Sequence, residues 1–140
     1  MPPMQFDNVH PLIKPDIRPS CPPRILGICQ DELDKLYPDR PQQILLKKQL
    51  QKRADFFQSH PNDFFVNTGF FEQYGAFSFE GKTIPAYVMR FNHVGGLGNL
   101  RVFFVLYDGN MVLLHAFQEK TSGNYDSAYS TAKGRLFFSE

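Results

Sequence analysis

Apolar positions in the first half of the chain recur at helical spacing, and those in the second half alternate. Leu46, Leu50, Ala54 and Phe57 mark one stripe of a helix predicted from Pro41 to Ser59. Pro41 suits its first turn, because proline's missing N–H is no loss there. A shorter helix, "ELDKLY", is expected just before it, with Asp31 as its N-cap and Glu32 and Asp34 in its first turn. "RILGI" (Arg24 to Ile28) reads as a short strand ahead of both.

After His60 and Pro61 the period changes from about 3.6 to 2. Phe70 to Phe79, Ile84 to Asn92, Leu100 to Tyr107 and Met111 to Phe117 then read as four strands. The turns between them are "EGKT", "HVGGLGN" and "DGN", the last a strong hairpin signal. Short turns between successive strands imply an antiparallel meander. Asp126 to Phe138 is expected to form a short C-terminal helix.

The predicted fold is therefore α+β: two N-terminal helices packed on a curved, mainly antiparallel four-stranded sheet, closed by that last helix. In Leu100 to Tyr107 both faces are apolar apart from Arg101. One face (Val102, Phe104, Leu106) takes the helices. The other (Phe103, Val105, Tyr107) needs a second cover, and the C-terminal segment and the N-terminal arm are the available ones. Leu46, Leu50, Val102, Phe104, Leu106 and Leu113 are the expected core.

Residues 1–23 read as a proline-rich extended arm and 24–140 as one domain; seven of the eleven prolines precede Arg24. Such a segment cannot run as a continuous helix or a central strand. The 140 residues, 42% hydrophobic with 15 phenylalanines, suit one packed core. No apolar run is long enough for a membrane span and no export signal opens the chain, so the cytoplasm is the expected location. Cys21 and Cys29 fit free thiols there and lack zinc-ligand spacing, so no metal is expected.

A net charge of +1 argues against a protein that coats nucleic acid through bulk charge. Charge is nonetheless concentrated on the second helix, where Lys47, Lys48, Lys52 and Arg53 oppose a single Asp55. That patch reads either as an ordinary solvated face or as a nucleic-acid contact. Glycine-loop phosphate cradles, nucleophile elbows, zinc-protease motifs and paired glycosidase carboxylates are absent.

What remains is a cationic, aromatic and imidazole set near strand ends: Arg90, His93, Arg101, His115, Lys120 and Tyr125. Such a set suits a phosphodiester. Cations stabilise charge building on the phosphate, and His, Tyr or Lys moves protons. RNA supplies its own nucleophile, the 2′-hydroxyl, so neither a protein nucleophile nor a cofactor is required. Each residue also has a plainer reading. Arg101 fits an ion pair with Asp108 or Glu119, His115 a hydrogen-bonded core histidine, and His93 a turn residue.

From about Arg24 to Leu136 the chain resembles the RelE/HigB superfamily of toxins, nearest its phage-derived HigB-like branch. The resemblance rests on "RILGICQDELDKLYPDRPQQILLKKQLQKRADFF" and on "AYVMRFNHVGGLGNLRVFFVLYDGNMVLLHAFQEKT". The second stretch is similar to the family's run of arginine-bearing strand, glycine-rich turn, aromatic strand opening with Arg, and final strand with a basic end. The resemblance implies a metal-independent messenger-RNA endoribonuclease of a type II toxin–antitoxin system. It also implies ribosome-bound mRNA as substrate and a small antitoxin, of helix-turn-helix type, as partner. By position, Arg101 matches the arginine on the scissile phosphate and Arg90 that of the preceding strand. Lys120 falls where members carry a basic residue after the last strand. Tyr125, His93 and His115 are left to handle protons. Glu119 stands where members carry a further lysine. The alternative is a non-catalytic phage-derived relative that binds RNA or protein; a third reading is an interaction domain whose proline-rich arm reaches another chain.

Overall fold

The computed structural model describes residues 17–18, 24–59, 71–79, 82–91, 94–107, 110–121 and 123–136. Strands β1 (Ile17–Arg18) and β2 (Arg24–Leu26) lead into helices α1 (Gly27–Leu36) and α2 (Arg40–Ser59). Four strands follow: β3 (Phe71–Phe79), β4 (Lys82–Arg90), β5 (Leu100–Tyr107) and β6 (Asn110–Gln118). Helix α3 (Asn124–Leu136) comes last. The protein is α+β, as its pattern predicts, and the period-2 segments become strands within a residue or two of their expected bounds.

The sheet is wider than four strands. Its order is β1-β2-β6-β5-β4-β3, and every pairing is antiparallel except that of β2 with β6. The parallel pair follows from the connection, because α1 and α2 stand between β2 and the meander as a crossover. Ile17–Arg18, from the proline-rich arm, pairs only with β2, which agrees with proline's exclusion from central strands. The rest of the arm lies outside the described residues.

Helix α1 begins at Gly27, directly after β2, rather than at a cap on Asp31. Leu26 precedes it in extended backbone and is fully buried, and no side chain caps the helix. Burial of Leu26 and Cys29, rather than capping, fixes that helix start. Asp31 is exposed, one turn inside the helix.

Register sorts the β5 side chains onto two faces. Val102 and Phe104 stand opposite Met89 and Tyr87 on β4, and Val102 opposite Ala116 on β6. Gln118 shares that face, and its amide donates to the Tyr37 hydroxyl just past α1. Phe103 points the other way, into the rings of Tyr74, Tyr125 and Tyr129. Helix α3 is thus the cover that the second face requires. Its Tyr125, Ala128, Tyr129 and Ala132 recur at helical spacing on the inward side, and the two alanines let the backbone approach. Leu46, Leu50, Val102, Phe104 and Leu113 are all buried. The side chains of Leu106, Tyr107, Ala54 and Phe57 lie outside what is described.

One irregularity makes room for α3. The β3–β4 register shifts between Gln73 and Ala76, where Gly75 takes φ 77°. A Cβ on Gly75 would meet the Tyr129 ring at 3.0 Å. The same ring donates its hydroxyl to the Ala76 carbonyl at 2.6 Å. Gly75→Ala should therefore cost about 1–2 kcal/mol from the left-handed backbone alone. Phe103→Ala should cost about 3–5 kcal/mol, because a buried ring leaves a cavity. Urea unfolding midpoints measure both, and an unchanged midpoint for Phe103→Ala would contradict the packing of α3.

Candidate functional site

Arg90 and Arg101 are cross-strand partners on β4 and β5. Like charges directly opposite each other are destabilising, so both need counter-charges. Arg90 Nη1 lies 3.1 Å from Glu72 Oε1, and Arg101 Nε lies 2.9 Å from Glu119 Oε1. Arg101 also donates from Nη1 to its neighbour's carbonyl, Leu100 O, at 3.0 Å. Its side chain is only 8% exposed, against 37% for Glu72. Of the two readings of Arg101, the ion pair with Glu119 is present in the structure.

Tyr125 joins this group from the first turn of α3. It is buried, and its hydroxyl donates to Glu72 Oε1 at 3.3 Å. Burial first, then the nearby Glu72 and Glu119 carboxylates, push the phenol up to about 12; Arg101 opposes them. At neutral pH the phenol therefore carries its proton. Arg90, Arg101 and Tyr125 are the members of the sequence-derived set that the fold brings together, with Glu72 and Glu119 between them.

His115 belongs to a second group. Beyond Leu26 no strand covers that edge of β6 among the described residues, and side chains take the strand's place. Glu32 Oε1, from α1, accepts the Ala116 N–H at 3.0 Å. Arg135 Nη1, from α3, donates to Leu114 O at 2.7 Å. The same arginine grips Glu32 through Nη1 at 2.8 Å and Nη2 at 2.6 Å. His115 Nδ1 lies 2.9 Å from both carboxylate oxygens. Burial raises the Glu32 carboxyl, but bonds from Arg135, His115 and the Ala116 amide outweigh it and hold the group at about 2.

The remaining candidates are scattered. Lys47, Lys48 and Lys52 are exposed on α2. Arg53 is not on that solvated face; it is buried, which corrects the sequence expectation. It follows Leu46 and Leu50 at helical spacing, so it falls on the inward stripe. Its guanidinium lies 4.3 Å from the centre of the Phe91 ring and also donates to Arg90 O. Desolvation lowers it to about 10. Lys120 is exposed, two residues past the end of β6. Its amide bonds Asn124 Oδ1 at 2.5 Å, shaping the entry to α3. His93 lies outside the described residues. No group of three His, Cys, Asp or Glu residues suits a metal ion among those described, and no helix there is long and apolar enough to cross a membrane.

Glu72, Glu32 and Arg135 were not singled out from the sequence as site residues. Glu72 had a signal: alternation along β3 puts it opposite Val88, diagonal to Arg90. Glu32 and Arg135 are 103 positions apart, and nothing local announces their pairing. No family model matches the chain, and neither a curated protein nor a solved structure matches it.

The lowered Glu32 carboxyl sets a pH window. A group depressed in the folded state contributes stability above its unfolded value and loses it as pH falls through the folded value. Here the loss runs from about 4.5 down to about 2. At pH 7 Glu32→Gln should cost about 1.5–3 kcal/mol, the range for hydrogen bonds to a charged group. The gap between wild type and variant should close as pH approaches 2. Denaturation midpoints across pH measure it; a constant gap would show that the carboxylate's charge is not what stabilises the fold.

Proposed function

We propose that this chain is a metal-independent endoribonuclease of the RelE/HigB-like kind, acting on messenger RNA at the ribosome. A cognate helix-turn-helix antitoxin and a cytoplasmic, toxin–antitoxin setting go with that reading. One observation carries it: Glu72 Oε1 is shared by Arg90 and the protonated Tyr125, on the face where Arg90 and Arg101 stand opposite each other. The chain order supports it as well, with two short strands and two helices before four antiparallel strands and a closing helix.

Each group then has a role set by its chemistry. Glu72, the more exposed carboxylate, takes the proton of the RNA 2′-hydroxyl. The 2′-oxygen forms its bond to phosphorus, and Arg101 with Arg90 stabilises the charge on the phosphoryl oxygens. Tyr125 gives its proton to the departing 5′-oxygen as the P–O5′ bond breaks. A 2′,3′-cyclic phosphate and a 5′-hydroxyl result, and no metal enters the balance. A phenol pushed up to about 12 keeps its proton at neutral pH and so still holds one to give. Lys47, Lys48 and Lys52 offer an exposed basic face for the RNA backbone. His93, His115 and Lys120 take no part in this scheme's chemical step.

A second reading has its own support. The arginines are already balanced by glutamates, and Arg101 is nearly enclosed, which suits a non-catalytic RNA- or protein-binding relative. Cleavage of ribosome-bound mRNA, in the presence of a chelator, separates the two. Wild type should cut. Arg101→Ala should lose about 10²- to 10³-fold in rate. Glu72→Gln and Tyr125→Phe should each lose about 10²- to 10⁴-fold. Circular dichroism checks that each variant is folded. Folded wild type that leaves the message intact, with or without ribosomes, would establish the binding module instead.

A further inference from the structure

The Glu32 carboxylate carries information about His115 that no reading of its sequence neighbours supplies. Glu32 is ionised across the physiological range, and an ionised carboxylate only accepts hydrogen bonds. Both of its oxygens lie 2.9 Å from His115 Nδ1, so the proton must sit on that nitrogen. Arg135 Nη1 is 3.3 Å from the same atom and, as a donor, would call for a lone pair there. The closer, charge-assisted contact decides. Arg135 Nη1 already donates at shorter range to Glu32 and to Leu114 O. A neutral ring with its proton on Nδ1 leaves a lone pair on Nε2.

Nε2 has no hydrogen-bond partner among the described residues, and the His115 side chain is 14% exposed. The ring stacks on Phe117 with planes 14° apart and centres 5.6 Å apart. Phe117 is the cross-strand partner of Arg101. His115 stands two residues further along β6 on the same face, about 6.6 Å along the strand. That is roughly one nucleotide step along an extended RNA strand.

We propose that Glu32 is a positioning residue that fixes His115 as the Nδ1–H tautomer, and that Nε2 accepts a hydrogen bond from the nucleotide next to the scissile phosphate. The donor is a ribose hydroxyl or an exocyclic amine. Arg135 holds Glu32 in place, so α1 and α3 jointly set the orientation of a ring on β6. This rests on the endoribonuclease reading for the identity of the ligand, while the tautomer itself does not.

Nitrogen-15 spectra of the histidine rings, taken on the full chain at about pH 8.5, where an ordinary imidazole is neutral, test both halves. His115→Gln assigns the resonance. Wild type should show the Nδ1–H pattern, and Glu32→Gln should lose it. An Nε2–H pattern in wild type overturns the proposal, and that spectrum decides even where Glu32→Gln fails to fold. A short single-stranded RNA with one 2′-deoxy residue at the cleavage position is then added to saturation. The His115 Nε2 resonance should shift on binding. Saturable binding that leaves Nε2 unmoved overturns the nucleotide contact. The tautomer is read without RNA, and the shift is read without cleavage. RNA that does not bind also overturns the nucleotide contact, and the cleavage assay then tells whether the endoribonuclease reading falls with it, while the tautomer stands on the RNA-free spectrum.

Discussion

A single carboxylate holds the layers of this protein to one another. Glu32 of α1 accepts from a backbone amide of β6, from a β6 imidazole and from both terminal nitrogens of a guanidinium on α3. The helices belong to different ends of the chain, and β2 is too short to cover the strand edge between them. An exposed edge of a sheet invites pairing with other chains. Here Glu32 and Arg135 stand in for the missing strand, one accepting from Ala116 and the other donating to Leu114. Taking a carboxylate out of water is costly, and the cost is met only because its acceptor positions are filled. That is why the group ends below its ordinary value despite the burial that pushes it up.

Packing on the α3 side obeys a related rule. Phe103, Phe117, Tyr74, Tyr125 and Tyr129 form one aromatic cluster, with ring centres 5.2 to 6.3 Å apart. Three of its members are tyrosines, and each hydroxyl reaches an oxygen: Tyr74 that of Asp126, Tyr125 that of Glu72, Tyr129 that of Ala76. The rings supply area, and the hydroxyls fix rotation and register. The phenol of Tyr125 is consequently set by packing and not by a loop. Its position beside the arginines is as rigid as the helix that carries it.

Much of this was legible from hydrophobic period. The alternating runs gave the four meander strands, and apolar residues on both faces of β5 required a second cover, which α3 provides. What period could not give was pairing at long range. "RILGI" looks like a strand, but only Arg24–Leu26 is one, since Gly27 and Ile28 open α1, and only the crossover tells that it lies parallel beside β6. Arg53 looks like a fourth surface cation; its place three residues after Leu50 was the available clue that it turns inward. Arg90 and Arg101 were legible as a pair once the strands were in register. Their neutralisation by Glu72 and Glu119 was half legible, since the Arg101–Glu119 pair could be named from sequence and the Arg90–Glu72 pair was not. The cap of α1 was misread for a simple reason: an aspartate ahead of a helical run resembles a cap wherever burial has already started the helix earlier.

The resting site is nearly neutral, with two guanidiniums against two carboxylates. On the proposed reading, a phosphodiester entering it would meet cations that are already engaged, so Arg90 and Arg101 would add little attraction from afar. The same reading leaves that attraction to charges in contact with water, and Lys47, Lys48 and Lys52 on α2 are exposed. On that reading Arg101 and its partner Glu119 would do different work. Glu119 holds Arg101 in a fixed direction before any ligand arrives, and a preset donor costs no reorganisation when charge develops beside it. Glu72 is the more exposed of the two carboxylates and is bound to both Arg90 and Tyr125 through one oxygen. On the proposed reading, a proton gained by Glu72 would remove the charge that draws Arg90 and weaken the acceptor of the Tyr125 hydroxyl. The proposed scheme thus joins the uptake of one proton to the donation of another through a single oxygen atom, Glu72 Oε1.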